Sequence, residues 1–215
     1  MTEWKSNKYW RNRPVEERVQ NARIPARFSG KSLSDYDVLT GDEEAHTAIN
    51  SWAKNINEHL QNGMGLYLYG PTGVGKTHLA QAAMIKAIKS NSLSGLFITT
   101  DRYMDMVYDS ERNKGELPDA YSDPNLLKYM RRVYDIVVLD GLGSERAKTD
   151  YAKDALVSFI GNRYEEKLLT VITSVLPPSE LTRTYGKRMN SLLQDSCFFI
   201  NVDGKDHRTA FSDAG

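Results

Sequence analysis

A chain of 215 residues with 40% hydrophobic side chains can build one α/β core of ordinary size and has no room for a second large domain. Its 28 Lys and Arg balance 28 Asp and Glu, so no overall positive field draws it to DNA or to an acidic membrane, and any nucleic-acid contact must come from a local patch. The single cysteine, Cys197, excludes a disulfide framework and a cysteine-rich zinc module, and no apolar stretch is long enough to span a bilayer. A soluble, unexported protein of a reducing cytoplasm is the expectation.

Residues 1 to about 22 read as an irregular arm that sets Trp4, Tyr9 and Trp10 among Lys5, Lys8, Arg11 and Arg13. An arm of this composition docks on a partner, stacks on single-stranded bases or is simply a free terminus. After Thr40-Gly41-Asp42, the spacing of Ala45, Ala48, Ile49, Trp52, Ala53, Ile56 and Leu60 predicts one amphipathic helix, closed by Asn62-Gly63. Met64 to Tyr69 is then an apolar run of strand length.

Gly70-Pro71-Thr72-Gly73-Val74-Gly75-Lys76-Thr77 follows that strand and fills the pattern G-x-x-x-x-G-K-[ST]. Leu79, Ala80, Ala83, Met84, Ala87 and Ile88 recur behind it at helical spacing, so strand, glycine loop and helix stand in the order the chemistry needs. The glycines allow successive N–H groups to point inward at an anion, and the helix N-terminus adds partial positive charge. In that arrangement Lys76 meets the β- and γ-phosphates of a nucleotide and the Thr77 hydroxyl ligates magnesium.

Gly95 to Thr100 reads as a second strand, with a helix from Asp101 carrying Tyr103, Met104, Met106 and Val107. Lys114 to Pro124 is a loop and Asn125 to Arg132 a short helix, which is more helix than a minimal crossover requires. Ile136 to Leu139 form a buried-type strand ending at Asp140, where an ionised carboxylate needs a cation and the nucleotide's magnesium supplies one. Glu145 is the nearest acid able to orient an attacking water, and a solvated loop glutamate is the alternative.

Tyr151 to Tyr164 is helical, and Leu168 to Ser174 is a strand whose terminal hydroxyls, Thr173 and Ser174, are candidates to reach the γ-phosphate. Ser179 to Gln194 contains short helices, and Cys197 to Val202 is the last strand. Arg188 and Arg208 are candidates to neutralise phosphate charge within the chain or across a subunit boundary. His46, His59, His78 and His207 show no metal-ligand spacing, and no serine, histidine and acid set suggests a hydrolytic triad. Strands alternating with helices predict a parallel sheet with its ligand at the strands' carboxyl ends.

From about Ala22 to Arg208 the chain resembles the AAA+ ATPases that load replicative helicases, of DnaC and DnaI type, together with the related transposition helper IstB. The resemblance rests on Ala22-Arg23-Ile24-Pro25-Ala26-Arg27-Phe28, Leu33-Ser34-Asp35-Tyr36-Asp37, the phosphate loop with His78-Leu79-Ala80, Val138-Leu139-Asp140-Gly141-Leu142-Gly143-Ser144-Glu145, and the later elements through Gly204-Lys205-Asp206-His207-Arg208. It implies an AAA+ P-loop fold with strand order 5-1-4-3-2 and no large lid, spanning 23–208 between an arm at 1–22 and a tail at 209–215. It also implies ATP and magnesium as ligands, oligomers on single-stranded DNA and a replicative hexameric helicase as partner. By the same resemblance Ile24, Pro25 and Phe28 lie near the adenine, His78, Ser174 and Arg208 join the nucleotide site, and Lys114, Lys128, Arg131 and Arg132 are candidates for DNA contact.

The departures from the family pattern concern catalysis. Gly141 stands where a second acid is usual, Val175 where the strand usually ends in asparagine, and Leu192 where the pattern has its second arginine, while Arg188 remains. Groups acting on the γ-phosphate or water are lost and groups holding ATP stay, so ATP binding with slow or partner-dependent hydrolysis is expected. The short arm, too small for the larger helicase-binding domain of bacterial loaders, suits a compact loader of a phage or mobile element. An IstB-like transposition helper and an ATP-binding regulatory module are the alternatives.

Overall fold

The computed structural model describes residues 11–112, 126–144 and 150–207, without the side chains of Glu111, Arg112, Lys128 and Tyr129. Five parallel strands, β1 (Gly65–Tyr69), β2 (Gly95–Thr99), β3 (Ile136–Leu142), β4 (Leu169–Ser174) and β5 (Cys197–Asn201), pair in the order β2-β3-β4-β1-β5. This is the expected order 5-1-4-3-2 read from the other edge. Among the described residues eight α-helical segments accompany them: α1 (Val15–Asn21), α2 (Glu43–Lys54), α3 (Ile56–Asn62), α4 (Lys76–Asn91), α5 (Thr100–Arg112), α6 (Leu126–Arg132), α7 (Asp150–Glu165) and α8 (Pro178–Ser196), the last broken into two shorter helices at Gly186 (φ 88°, ψ 169°), as the sequence predicts.

The strand period of two sends neighbouring side chains into two separate cores. Leu66, Leu68, Ile136, Val138 and Val171 join α2 and α4 on one face, through Ile49, Trp52, Leu79 and Met84. Tyr67, Val137, Leu139 and Ile172 join α5, α6, α7 and α8 on the other, through Tyr103, Met130, Phe159 and Met189. Burial on both faces explains why these strands read as continuous apolar runs rather than alternating ones.

Two expectations about single elements change. The helix expected across 45–60 is two, because Asn55 leaves helical geometry at φ −97°, ψ 25° and Gly63 then closes α3 in the left-handed region at φ 69°. The β3 strand does not stop at Asp140: it runs to Leu142, and its pairing with β4 shifts register between Leu139 and Leu142. At that irregularity Gly141 takes φ +87°, which an L side chain rarely adopts.

The irregular arm expected to about residue 22 is, from residue 11 onward, built into the domain. Arg18, buried in α1, donates to the carbonyls of Arg13, Ile88 and Leu93, and so supplies cationic donors at the C-terminal end of α4. Ala22 O accepts from Phe97 N at 2.7 Å, giving the edge strand β2 a main-chain partner. Arg11 pairs with buried Asp135 at 2.6 Å, and the Asp135 carboxylate also accepts from Ser94 N and Oγ. A sequence reading misses this because cationic side chains signal exposure, whereas here two of them satisfy carbonyls and a carboxylate. Trp4, Tyr9 and Trp10 lie outside the described residues.

Candidate nucleotide site

The phosphate loop connects the end of β1 to the start of α4 at the carboxyl edge of the sheet. Gly73 and Gly75 stand at φ 89° and 96°, on either side of buried Val74. A Cβ on Gly70 would come within 2.2 Å of Val202 O, so the loop also lies flush against the chain leaving β5. Lys76 opens α4, is buried, and donates from Nζ to Gly70 O at 2.8 Å and to Pro71 O. The ammonium thus sits folded onto its own loop, within reach of any phosphate the loop encloses.

Asp140 and Thr77 meet as the sequence predicts: Thr77 Oγ1 donates to Asp140 Oδ1 at 2.8 Å. Thr173 Oγ1 donates to the same oxygen at 2.6 Å and accepts from Gly141 N at 2.9 Å, so the register shift at Gly141 turns its N–H onto the strand-end threonine. A hydroxyl and one carboxylate at a phosphate cradle suit magnesium, which takes few protein ligands and completes its shell with phosphate oxygens and water. Among the described residues no group of three His, Cys, Asp or Glu could hold a metal without such a ligand.

A cavity of about 740 Å³ opens over this loop, lined by Thr72, Lys76, Thr77, His78, Asp140 and Thr173 together with Arg27, Phe28, Tyr36 and His207. His78 is fixed by a 2.8 Å contact from Nε2 to Ser32 O. Ser174 lines the cavity too, but its hydroxyl donates to Leu142 O and accepts from Leu176 N, so the group facing Asp140 is Thr173. Val175 is partly exposed at the rim.

The residues expected around adenine divide. Phe28 lines the loop cavity, with the Arg27 guanidinium 4.9 Å from its ring centre. Ile24 lines a different cavity, of about 640 Å³, with Val15, Val19 and Ile85. Pro25 precedes the 3-10 turn Ala26–Phe28 and lines neither.

The candidate arginines also separate. Arg188 is exposed and lines a surface cavity between α7 and α8 with Asp154, Ser158, Asn162 and Glu165, none of which lines the loop cavity. Arg131 turns inward to Tyr103 Oη at 3.1 Å, and exposed Arg132 donates to Asn162 Oδ1. The Lys128 side chain, Lys114, Glu145 and Arg208 lie outside the described residues.

Tyr36 and His207 stand in stretches that carry the resemblance but have no site role in the sequence reading, because a tyrosine in a polar stretch and a histidine near the terminus carry no spacing signal. The structure packs the Tyr36 ring against Gly75 and places it near His207, with ring centres 6.1 Å apart. Cys197 is buried, and desolvation pushes its thiol up to about 12, which removes it as a nucleophile at neutral pH.

A five-stranded parallel sheet in this order, flanked by helices and carrying a lysine-threonine loop opposite a strand-end aspartate, defines an AAA+ P-loop nucleotide-binding protein. The profile of the IstB-like ATP binding protein family matches residues 5–208, and the chain belongs to that family. It is 27% identical over 175 residues to the replicative helicase loader DnaI of Bacillus subtilis, covering 79% of this chain and 51% of the relative. It is 26% identical over 171 residues to the chromosomal replication initiator protein DnaA of Nautilia profundicola, covering 78% of this chain and 35% of the initiator. The chain therefore spans about half the length of the loader and a third of that initiator. A crystal structure of the DnaC helicase loader superposes with a TM-score of 0.67 at 24% identity, covering 83% of this chain and 100% of the other, and shares its fold.

Proposed function

We propose that this protein is an ATP-switched helicase loader, which binds magnesium ATP in the loop cavity and uses nucleotide state to alter contacts between its own copies, single-stranded DNA and a hexameric replicative helicase in the cytoplasm. The observation that carries the reading is the convergence of Lys76, Thr77, Asp140 and Thr173 in a chain 27% identical to a helicase loader.

The inward amides of residues 73–77 receive the β-phosphate, and Lys76 exchanges its two carbonyl acceptors for phosphate oxygens. Magnesium, when bound by Thr77 and Asp140, neutralises charge that develops on the phosphates. Thr173 holds Asp140 in place for that role. Phe28 and the aliphatic part of Arg27 offer an apolar wall to the base.

Hydrolysis is slow or depends on a partner, because Gly141 carries no carboxylate. Arg188 lies on another face, from which it serves a neighbouring copy rather than its own cavity. Loss of a transition-state arginine alone costs on the order of a thousandfold in rate. The test is a pull-down from the native host with and without ATP, scored for the replicative helicase, beside calorimetry with magnesium ATP. Nucleotide-dependent capture of the helicase supports the reading, and heat from ATP without any helicase removes the loader role.

The family match favours one other reading, a transposition helper that binds duplex DNA and a transposase. Capture of a transposase in place of the helicase selects it. Retention of ATP without turnover, even with DNA and helicase present, selects a regulatory module.

A further inference from the structure

A loop whose N–H groups converge on an anion turns carbonyls outward, and those carbonyls need donors of their own. Lys76 supplies Gly70 and Pro71, but it must leave them to reach a phosphate. His207 N supplies Gly73 O at 3.2 Å. A side-chain donor from outside the loop serves the next carbonyl: Tyr36 Oη donates to Val74 O at 3.2 Å. Val74 lies between the two left-handed glycines, so this bond grips the loop at its most unusual backbone.

Tyr36 is itself held firmly. Its oxygen accepts from Asp42 N at 2.9 Å. Asp42 caps α2 through Ala45 N and accepts from Asp203 N with its other oxygen, so the chain leaving β5, the start of α2 and the phosphate loop are joined through one phenol. The ring is buried, stacks on His46 at 5.8 Å and packs so closely on Gly75 that a Cβ there would come within 2.7 Å of Cε2. Burial also raises the phenol above its ordinary titration range, which keeps it a donor.

We propose that Tyr36 is a positioning residue for the nucleotide's phosphates: its hydroxyl, engaged by Val74 O and Asp42 N, and its ring hold Val74 and Gly75 in the conformation that aims the loop's amides inward. This rests on the reading of the loop as an ATP site. A preset loop pays no ordering cost when the anion arrives, whereas a loosened one does.

The test is Tyr36→Phe, which removes the hydroxyl and keeps the ring. Magnesium ATP binding is measured by calorimetry and stopped flow at a temperature where circular dichroism shows both proteins folded. The expected result is an affinity about fivefold or more below wild type, carried mainly by faster dissociation, as loss of one hydrogen bond implies. A residue that merely filled space would lower the melting temperature and leave the affinity of the folded protein unchanged. Wild-type affinity and dissociation rate in Tyr36→Phe overturn the inference. Lys76→Ala, measured alongside, separates the two levels: binding lost in Lys76→Ala but intact in Tyr36→Phe defeats only the role of Tyr36. Wild-type protein that binds no magnesium ATP defeats both.

Discussion

Thr173 and Thr77 donate to the same carboxylate oxygen, Oδ1 of Asp140, at 2.6 and 2.8 Å, from two elements 96 positions apart in the chain. One hydroxyl belongs to the phosphate loop's helix and the other to the end of β4. The carboxylate proposed to hold magnesium is therefore aimed from both sides, and Gly141 N closes the arrangement by donating to Thr173 Oγ1.

Thr173→Val keeps the shape of that side chain and removes its hydroxyl. Asp140 then has one restraint fewer, and Gly141 N loses its acceptor. A hydrogen bond to a charged group is worth about 1.5–3 kcal/mol, so ATP turnover falls by about tenfold or more. Affinity for ATP measured in chelator stays near wild type, because the loop amides and Lys76 are untouched. Equal losses with and without magnesium would show that Thr173 does not act through Asp140.

Gly141 cannot be turned back into the usual acid by substitution alone. Its φ of +87° is costly for an L residue, by about 1–2 kcal/mol, and a Cβ there would lie 3.0 Å from Ser144 Oγ. Gly141→Glu is expected to lower the melting temperature by about 2–8 °C, on the scale for a domain of this size, without raising turnover. A variant that hydrolyses ATP faster at unchanged stability would mean that the backbone there relaxes and that the missing acid was the sole defect.

The phosphate loop, Asp140 and the strands themselves are legible because each is local: a spacing of glycines, an apolar run, a carboxylate at the run's end; the order of the strands is not local and comes from the family resemblance. The pairing of Thr173 rather than Ser174 with Asp140 was not, because two adjacent strand residues point to opposite sides and register alone decides which faces the site. Tyr36, His207 and Arg18 act through main-chain carbonyls, which carry no residue identity for a sequence to display. Ile24 was assigned by likeness to a stretch whose two ends, Ile24 and Phe28, face different cavities.

Arg18 tests whether the segment before residue 22 is part of the domain. Arg18→Met keeps an unbranched buried side chain and removes donors to Arg13, Ile88 and Leu93 carbonyls. Buried carbonyls without partners cost about 1–3 kcal/mol each, softened where water can enter, so a loss of about 2–4 kcal/mol is expected. Chemical denaturation should show a lower midpoint at an unchanged slope. A midpoint equal to wild type would return this segment to the status of a dispensable arm.

Cys197 makes a prediction about alkaline stability. Its thiol titrates at about 12 in the folded chain against 9.0 for the free group, with desolvation as the main cause. Between those values the folded state holds a proton that the unfolded state has released. Stability is then fullest below pH 9 and falls as pH rises toward 12, with a slope of one proton from this group. Cys197→Ala removes that proton from the difference, so the dependence of unfolding free energy on pH, measured by urea titration from pH 8.5 to 10.5, should be shallower by up to one proton, offset against a uniform loss from the smaller side chain. Native protein should also resist thiol reagents at pH 8 until denaturant is added. Rapid labelling of the native chain, or identical slopes in the two proteins, would mean that solvent reaches the start of β5.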